Sequence, residues 1–118
     1  MEDTKTKPAS FGRYTQAKYV KFRKWLATTH GQAIYGMFEK FSTDYRTAGH
    51  YKTGANLIGN RVRWETATIT NFIGYKVSND WLPMMARQLV EDDASFDGFF
   101  NFHDDPGTDP EHDYDDEA

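Results

Sequence analysis

The segment IYGMFEKFSTDY carries the clearest hydrophobic periodicity in the chain. Its apolar residues recur at intervals of three and four, and they are Ile34, Met37, Phe38, Phe41 and Tyr45. Side chains at this spacing share one face of an α-helix, so the segment predicts an amphipathic helix with a buried aromatic face. Ala48-Gly49 is a suitable end for it, because glycine often follows the last helical turn.

Three further segments carry weaker helical patterns, and they predict helices at residues 15–28, 55–65 and 80–91. Gly31 interrupts the pattern between the first helix and the second. The expected buried faces are Tyr19, Phe22, Trp25 and Leu26 in the first, Ile58 and Val62 in the third, and Leu82, Met85, Ala86 and Leu89 in the fourth. Aromatic residues make up 16% of the 118 residues, more than a disordered chain carries.

The fourth predicted helix follows a cluster of short polar side chains. Ser78, Asn79 and Asp80 can accept hydrogen bonds from the unpaired N–H groups of a first helical turn. Proline at position 83 is tolerated there, because first-turn N–H groups have no partner within the helix. The periodicity leaves three side chains of this helix facing solvent, namely Met84, Arg87 and Gln88.

The segment HYKTGAN predicts a short connector that can hold one edge strand, and FDGFFNF predicts a terminal strand or a packed hook. The segment TATITNFIGYK predicts an extended turn or a small hairpin before the fourth helix. The order of elements predicts a mainly α fold: a winged helix-turn-helix-like domain with an extra N-terminal helix. We expect a flexible arm over residues 1–12, the domain over 13–103, and a disordered acidic tail over 104–118.

Five motifs resemble, in their order, a family of small uncharacterised bacteriophage and prophage proteins. They are RWE at 63–65, YKVSN at 75–79, Pro83, Ala86-Arg87 and GFF at 98–100. The resemblance covers about residues 18–102. It implies a phage-type origin and a small winged-helix-like domain, and it brings no activity and no catalytic residues. The chain departs from the family pattern at Ser78, where members often have Asn, and after GFF, where members have a basic residue.

Charge is strongly segregated along the chain. Residues 1–87 hold all 14 Lys and Arg against six acids, a net charge of +8, whereas residues 88–118 hold 12 acids and neither Lys nor Arg. Such a basic body can bind a polyanion. The acidic segment can keep the protein soluble, fold back on the basic surface, or bind a basic partner.

No enzyme is expected, since the chain has no nucleophile motif, no phosphate-binding glycine loop and no zincin signature. Cysteine is absent, which excludes disulfides and thiol chemistry. His103 and His112 stand among acids that bind divalent metals at most weakly, so no metal site and no cofactor are predicted. The absence of a long apolar run predicts no membrane contact and a place in the host cytoplasm.

DNA binding is the first functional prediction. In a helix-turn-helix the second helix of the pair lies in the major groove, and here that pair would be residues 55–65 and 80–91. The candidate nucleic-acid-binding residues are Lys18, Lys21, Lys24, Arg61, Arg63, Lys76, Asn79, Arg87 and Gln88. Arg87 and Gln88 would read base edges, Lys76 and Asn79 would stand at the approach, and the others would contact phosphates.

Each of these residues also has a structural interpretation. The three lysines can be an ordinary solvated face, and Arg61 can cover Leu57 and Trp64. Arg63 can form a structural ion pair or a cation–π contact. Trp25 and Trp64 are expected in the core. The alternative function is a protein-binding inhibitor of a host nuclease or defence complex, of the anti-CRISPR or DNA-mimic type, acting through the acidic tail. The sequence does not decide between a monomer and a homodimer.

Overall fold

The structure, a computed structural model, describes residues 6–68 and 77–102. Within these residues there are four α-helices, α1 (Gln16–Leu26), α2 (Thr29–Thr47), α3 (Ala55–Thr68) and α4 (Trp81–Asp92), and short 3-10 turns at Ala9–Phe11 and Ala94–Phe96. The mainly α prediction is therefore confirmed. None of the helices in these two ranges is both long and apolar enough to span a membrane.

The two predicted minor strands are reduced to one point of contact. Thr53 and Phe100 form an isolated parallel bridge, the only β-pairing within residues 6–68 and 77–102. The Thr53 N–H donates to the Phe99 carbonyl at 2.9 Å, and the Asn101 N–H donates to the Thr53 carbonyl at 2.8 Å. The pairing thus ties the C-terminal residues to the segment that leads into α3.

Helix α4 is the centre of the domain. It packs against α2, α3 and both 3-10 turns, and Trp81 at its start stacks on Trp25 of α1 with ring centroids 5.6 Å apart. The residues of α4 that are buried are Leu82, Met84, Met85, Ala86, Arg87, Gln88 and Leu89. A helix covered all round is a core helix. The prediction that Met84, Arg87 and Gln88 face solvent is therefore wrong.

Gly31 lies within the first turn of α2, where the sequence predicted a break. The Thr28 hydroxyl caps this turn, accepting from the Gly31 N–H at 2.9 Å and donating to the Trp25 carbonyl at 2.6 Å. A Cβ atom on Gly31 would stand 2.0 Å from that same Trp25 oxygen. Glycine is needed here because α1 ends directly against the start of α2.

The start of α4 also differs from the predicted cap. The Asp80 carboxylate makes no capping bond and instead accepts from the Lys18 ammonium at 2.9 Å. Ser78 holds the turn in its place, since its hydroxyl accepts from the Asp80 N–H at 3.0 Å. The cluster before α4 therefore serves partly as a local turn and partly as an anchor for α1.

The two ends of the described chain close the core. Phe11 is fully buried, with its ring 4.9 Å from that of Tyr19, so the predicted flexible arm over residues 1–12 is wrong for its last part. At the other end Phe96, Phe99 and Phe100 are buried, and Phe100 stacks on Phe38 at 5.7 Å. The predicted connector over residues 69–76 and the predicted tail over 104–118 lie outside the described residues.

Replacing Gly31 with alanine should destabilise the protein by about 2 kcal/mol or more, because the new methyl group collides with backbone that has little freedom to move. A Cβ atom on Gly36, in the same helix, would meet no other part of the described chain within 4 Å. Gly36→Ala should therefore stabilise by roughly 0.5–1 kcal/mol through helix propensity. Urea unfolding of both variants measures the two signs, and equal effects would contradict the close approach at Gly31.

Candidate functional site

Arg87, predicted to read bases, is an interior residue with 1% of its surface exposed. Its guanidinium donates to the Pro83 carbonyl at 3.0 Å and to the Tyr14 hydroxyl at 3.4 Å. It also lies 4.3 Å from the ring centroid of Phe102 and 5.2 Å from that of Tyr14. These aromatic faces and oxygens stabilise the buried charge, so Arg87 joins a residue before α1 and a residue after α4 to α4 itself.

Gln88 is also buried, contrary to its predicted role. Its amide nitrogen donates to the Asp92 carboxylate at 2.9 Å, while its amide oxygen has no hydrogen-bond partner among the described residues. With Arg87 and Gln88 both turned inward, α4 cannot present base-reading side chains to a major groove. The core position of α4 overturns these two predicted site residues.

The two arginines of α3 have different surroundings. Arg63 donates to the Val77 carbonyl at 3.0 Å and to the side-chain oxygen of Asn79, so it holds the chain that leads into α4. Arg61 lies 4.4 Å from the ring centroid of Phe41 and 3.4 Å from the Glu65 carboxylate. Asn79 remains exposed, and the predicted contact at Lys76 lies outside the described residues.

The three lysines of α1 divide in the same way. Lys18 pairs with Asp80 at 2.9 Å, with only 27% of its side chain exposed, and it lies 5.7 Å over the ring of Trp81. Lys21 and Lys24 are exposed. Neither ammonium makes a hydrogen bond or ion pair to another described residue. We refer to Lys21 and Lys24 together as the α1 basic surface.

The sequence around α1 is unusually one-sided in charge. From position 4 to position 38 the chain contains seven Lys and Arg and no Asp or Glu. Residues three apart on a helix are neighbours, so Lys21 and Lys24 present two adjacent positive charges with no acid on the same helix. The α1 basic surface is therefore the part of the predicted nucleic-acid interface that keeps its charge available to a ligand.

A second surface was missed because tryptophan was assigned to the core. Leu57 is 49% exposed and Trp64 is 66% exposed, with Arg61 between them on one side of α3. We call these three residues the α3 face. Their spacing of four and then three residues already marks a helical stripe separate from the buried stripe of Ile58 and Val62.

Beside the α3 face, helices α2 and α3 form an open cleft of about 350 Å³. The cleft is lined by Phe41, Asp44, Tyr45, Ala48, Leu57, Ile58 and Arg61. Its walls are mostly apolar, and a cation and a carboxylate stand at its edge. Such a surface suits an apolar side chain of a partner better than a nucleic acid.

Acidic side chains cluster at the C-terminal end of α4. The Tyr35 hydroxyl donates to the Asp92 carboxylate at 2.6 Å. The pKa of Tyr35 is raised far above its usual value, mainly by burial and also by this hydrogen bond. The hydroxyl and N–H of Ser95 both donate to Asp93, and these bonds lower the pKa of that carboxyl. This end of the molecule is negative at neutral pH and does not attract phosphate.

Comparisons with known proteins yield no match to this chain, either among family models, among curated proteins or among solved structures. The indications of function are therefore the exposed groups themselves. Within residues 6–68 and 77–102, the α1 basic surface and the α3 face with its cleft are the candidate binding surfaces.

Arg87→Ala should destabilise the protein by about 2–3 kcal/mol, because buried hydrogen bonds from a charged donor are lost and a cavity replaces the side chain. Arg87→Lys should recover only part of this, since an ammonium cannot reproduce the planar guanidinium on two rings. Thermal unfolding measures both changes, with the exposed Lys24→Ala as the control. A loss no larger than that of the control would place Arg87 at the surface.

Proposed function

We propose that this protein binds nucleic acid without reading its sequence, through phosphate contacts made by the α1 basic surface. The observation that supports it is the pair of exposed ammonium groups at Lys21 and Lys24, in an acid-free stretch with seven cations. A lysine is a strongly hydrated point charge that suits phosphate contacts. Contacts of this kind supply affinity and orientation but carry no sequence information.

The proposed function uses the winged helix-turn-helix only as an arrangement of helices and not as a mode of DNA binding. In that arrangement α3 and α4 would be the helix pair, and α1 would be the extra N-terminal helix. Because α4 is buried in this chain, the pair would serve as the core that carries α1, and the usual insertion of the second helix into the major groove would not occur. The protein would act as a non-enzymatic binding protein in the cytoplasm of a phage host.

Binding through phosphate contacts alone is expected to be weak. Sequence-independent binding through phosphates has a Kd of about 10⁻⁴–10⁻⁶ M at physiological salt and depends steeply on salt concentration. Two lysines form a small contact, so binding should be strongest at low ionic strength. Base substitutions in the duplex should leave it unchanged.

The test is a fluorescence anisotropy titration of mixed-sequence duplex DNA with the full-length chain at several salt concentrations. Each phosphate contact contributes about −0.9 to the slope of log K against log salt, so the slope of the double variant Lys21→Gln/Lys24→Gln should be less negative by about 1.8. Lys40→Gln is the matched control, because this exposed lysine already pairs with Asp44 at 3.0 Å.

An equal loss in the Lys40→Gln control would show that binding follows net charge and that α1 is not the binding surface. A duplex that binds neither the native chain nor a chain with a neutralised acidic tail, even at low salt, would overturn the nucleic-acid function. A dependence of affinity on base sequence would contradict the absence of base readout.

A second function, binding to a protein, is favoured by the exposure of Leu57 and Trp64. Tryptophan and arginine are enriched among the residues that dominate binding energy at protein interfaces, and the α3 face presents both. The partner that fits would insert an apolar side chain into the cleft and direct a carboxylate at Arg61, whose side chain is 57% exposed. A host protein with such a segment would be the target in the inhibitor role.

A peptide-display selection tests this second function, with counter-selection on the full-length Leu57→Ala/Trp64→Ala variant. The enriched peptides should carry an apolar residue next to Asp or Glu, and they should bind Trp64→Ala about tenfold or more weakly, as expected for an interface anchor. Binding should be unchanged in the Lys21→Gln/Lys24→Gln control. Peptides that bind wild type and both variants equally would exclude the α3 face.

A further inference from the structure

We infer that the acidic C-terminal segment, residues 103–118, docks on the α1 basic surface of its own chain and competes there with nucleic acid. The docking depends only on charge and on the reach of the chain. Its regulatory consequence rests on the proposed function, because competition requires a ligand for the same lysines. The occupant of the α1 basic surface in the free protein is then the chain itself.

The first support is the place where the described chain ends. The ring of Phe102 lies 4.3 Å from the guanidinium of Arg87, and the same guanidinium lies 5.2 Å over the ring of Tyr14. Tyr14 precedes α1 by two residues. The acidic segment therefore starts one side chain away from the N-terminal end of the helix that carries Lys21 and Lys24.

The second support is length. Sixteen residues follow Phe102, and an extended chain spans at most about 3.3–3.6 Å per residue, roughly 55 Å in all. Helix α1 has 11 residues, which at 1.5 Å each make about 16 Å. The segment can therefore lie along the whole of α1 without being fully extended.

The third support is charge. Residues 103–118 contain eight Asp and Glu and neither Lys nor Arg, while α1 contains four Lys and Arg and no acid. Lys7, whose backbone N–H donates to the Gln16 side chain at 3.0 Å, adds a positive charge beside the start of the helix. Helix α1 and Lys7 therefore carry charge of the opposite sign to that of the segment.

Other exposed cations offer the segment less. Lys40 pairs with Asp44 and Arg61 with Glu65, while Lys52 donates to the Gly98 carbonyl and Arg46 to Ser95. The C-terminal end of α4 and the residues after it would repel the segment, since they carry four acids, Glu91, Asp92, Asp93 and Asp97. Among the cations that the structure describes, those on α1 are thus the preferred site.

Tethering makes such weak contacts effective. A segment joined by a short linker has an effective concentration in the millimolar range near its site, which can saturate contacts that would be negligible between separate molecules. The contacts are exposed, so salt should release them, because the Debye length falls from about 8 Å at physiological salt to about 3 Å at 1 M. A nucleic acid must displace the segment before it reaches Lys21 and Lys24.

The experiment compares the native full-length chain with a full-length variant whose tail acids are replaced by their amides. The replaced residues are Asp104, Asp105, Asp109, Glu111, Asp113, Asp115, Asp116 and Glu117. The rate of acylation of each lysine is measured by mass spectrometry, with Lys40 as the internal reference and Glu39→Gln as the control for loss of an acid outside the tail. Far-UV circular dichroism checks that every variant is folded.

In the native chain Lys21 and Lys24 should react about threefold or more slowly than in the neutralised chain, the protection expected of a tethered ligand that is bound most of the time. Lys40 should react equally in both chains, and the difference at α1 should vanish at about 1 M salt. Equal rates for Lys21 and Lys24 in the two chains at low salt would overturn the docking.

A second arm measures duplex DNA binding by the same chains. The neutralised chain should bind about tenfold more tightly at low salt and lose affinity more steeply as salt rises, and Lys21→Gln/Lys24→Gln should abolish that gain. Protected lysines without DNA binding in either chain would sustain the docking and overturn the proposed function. DNA binding with unprotected lysines and equal affinities would sustain the function and overturn the docking.

Discussion

The burial of the Arg87 guanidinium is the constraint on which the rest of the structure depends. A charge in the interior requires compensating dipoles and aromatic faces, and removing them costs several kcal/mol. Here Tyr14 comes from before α1, Phe102 from after α4, and the Pro83 carbonyl from α4 itself. Helix α4 can therefore be covered on every side only if both ends of the described chain return to it.

This arrangement divides the positive charges into two groups. Lys18, Arg63 and Arg87 contact Asp80, Val77 and Pro83 and fix the position of α4. Lys21 and Lys24 are exposed on α1, and neither makes a polar contact to α4. A net positive body is thus a poor guide to ligand binding, because several of its candidate contacts serve to hold the fold together.

The helices could be predicted from the sequence, but the environment of α4 could not. Periodicity marked the cores of α1, α2 and α3 because each has one buried stripe. It failed for α4, where the cover over Arg87 comes from Tyr14 and Phe102, far away in sequence. Arginine is rarely buried and tryptophan is rarely exposed, so Arg87 and Trp64 were both assigned to the wrong side. The predicted helix break at Gly31 was wrong for a related reason, since glycine is typical both of a helix break and of a close approach between two helices.

The position of Phe102 beside Arg87 also sets the order in which the protein can fold during synthesis. A nascent chain that has emerged only as far as α3 lacks α4, including Trp81, whose ring lies 5.6 Å from that of Phe22 in the complete domain. Even after α4 has left the ribosome, its arginine stays without one of its aromatic faces until Phe102 follows. Complete packing around α4 therefore requires the chain as far as residue 102, and ribosome-bound fragments that stop before it should expose apolar surface to chaperones.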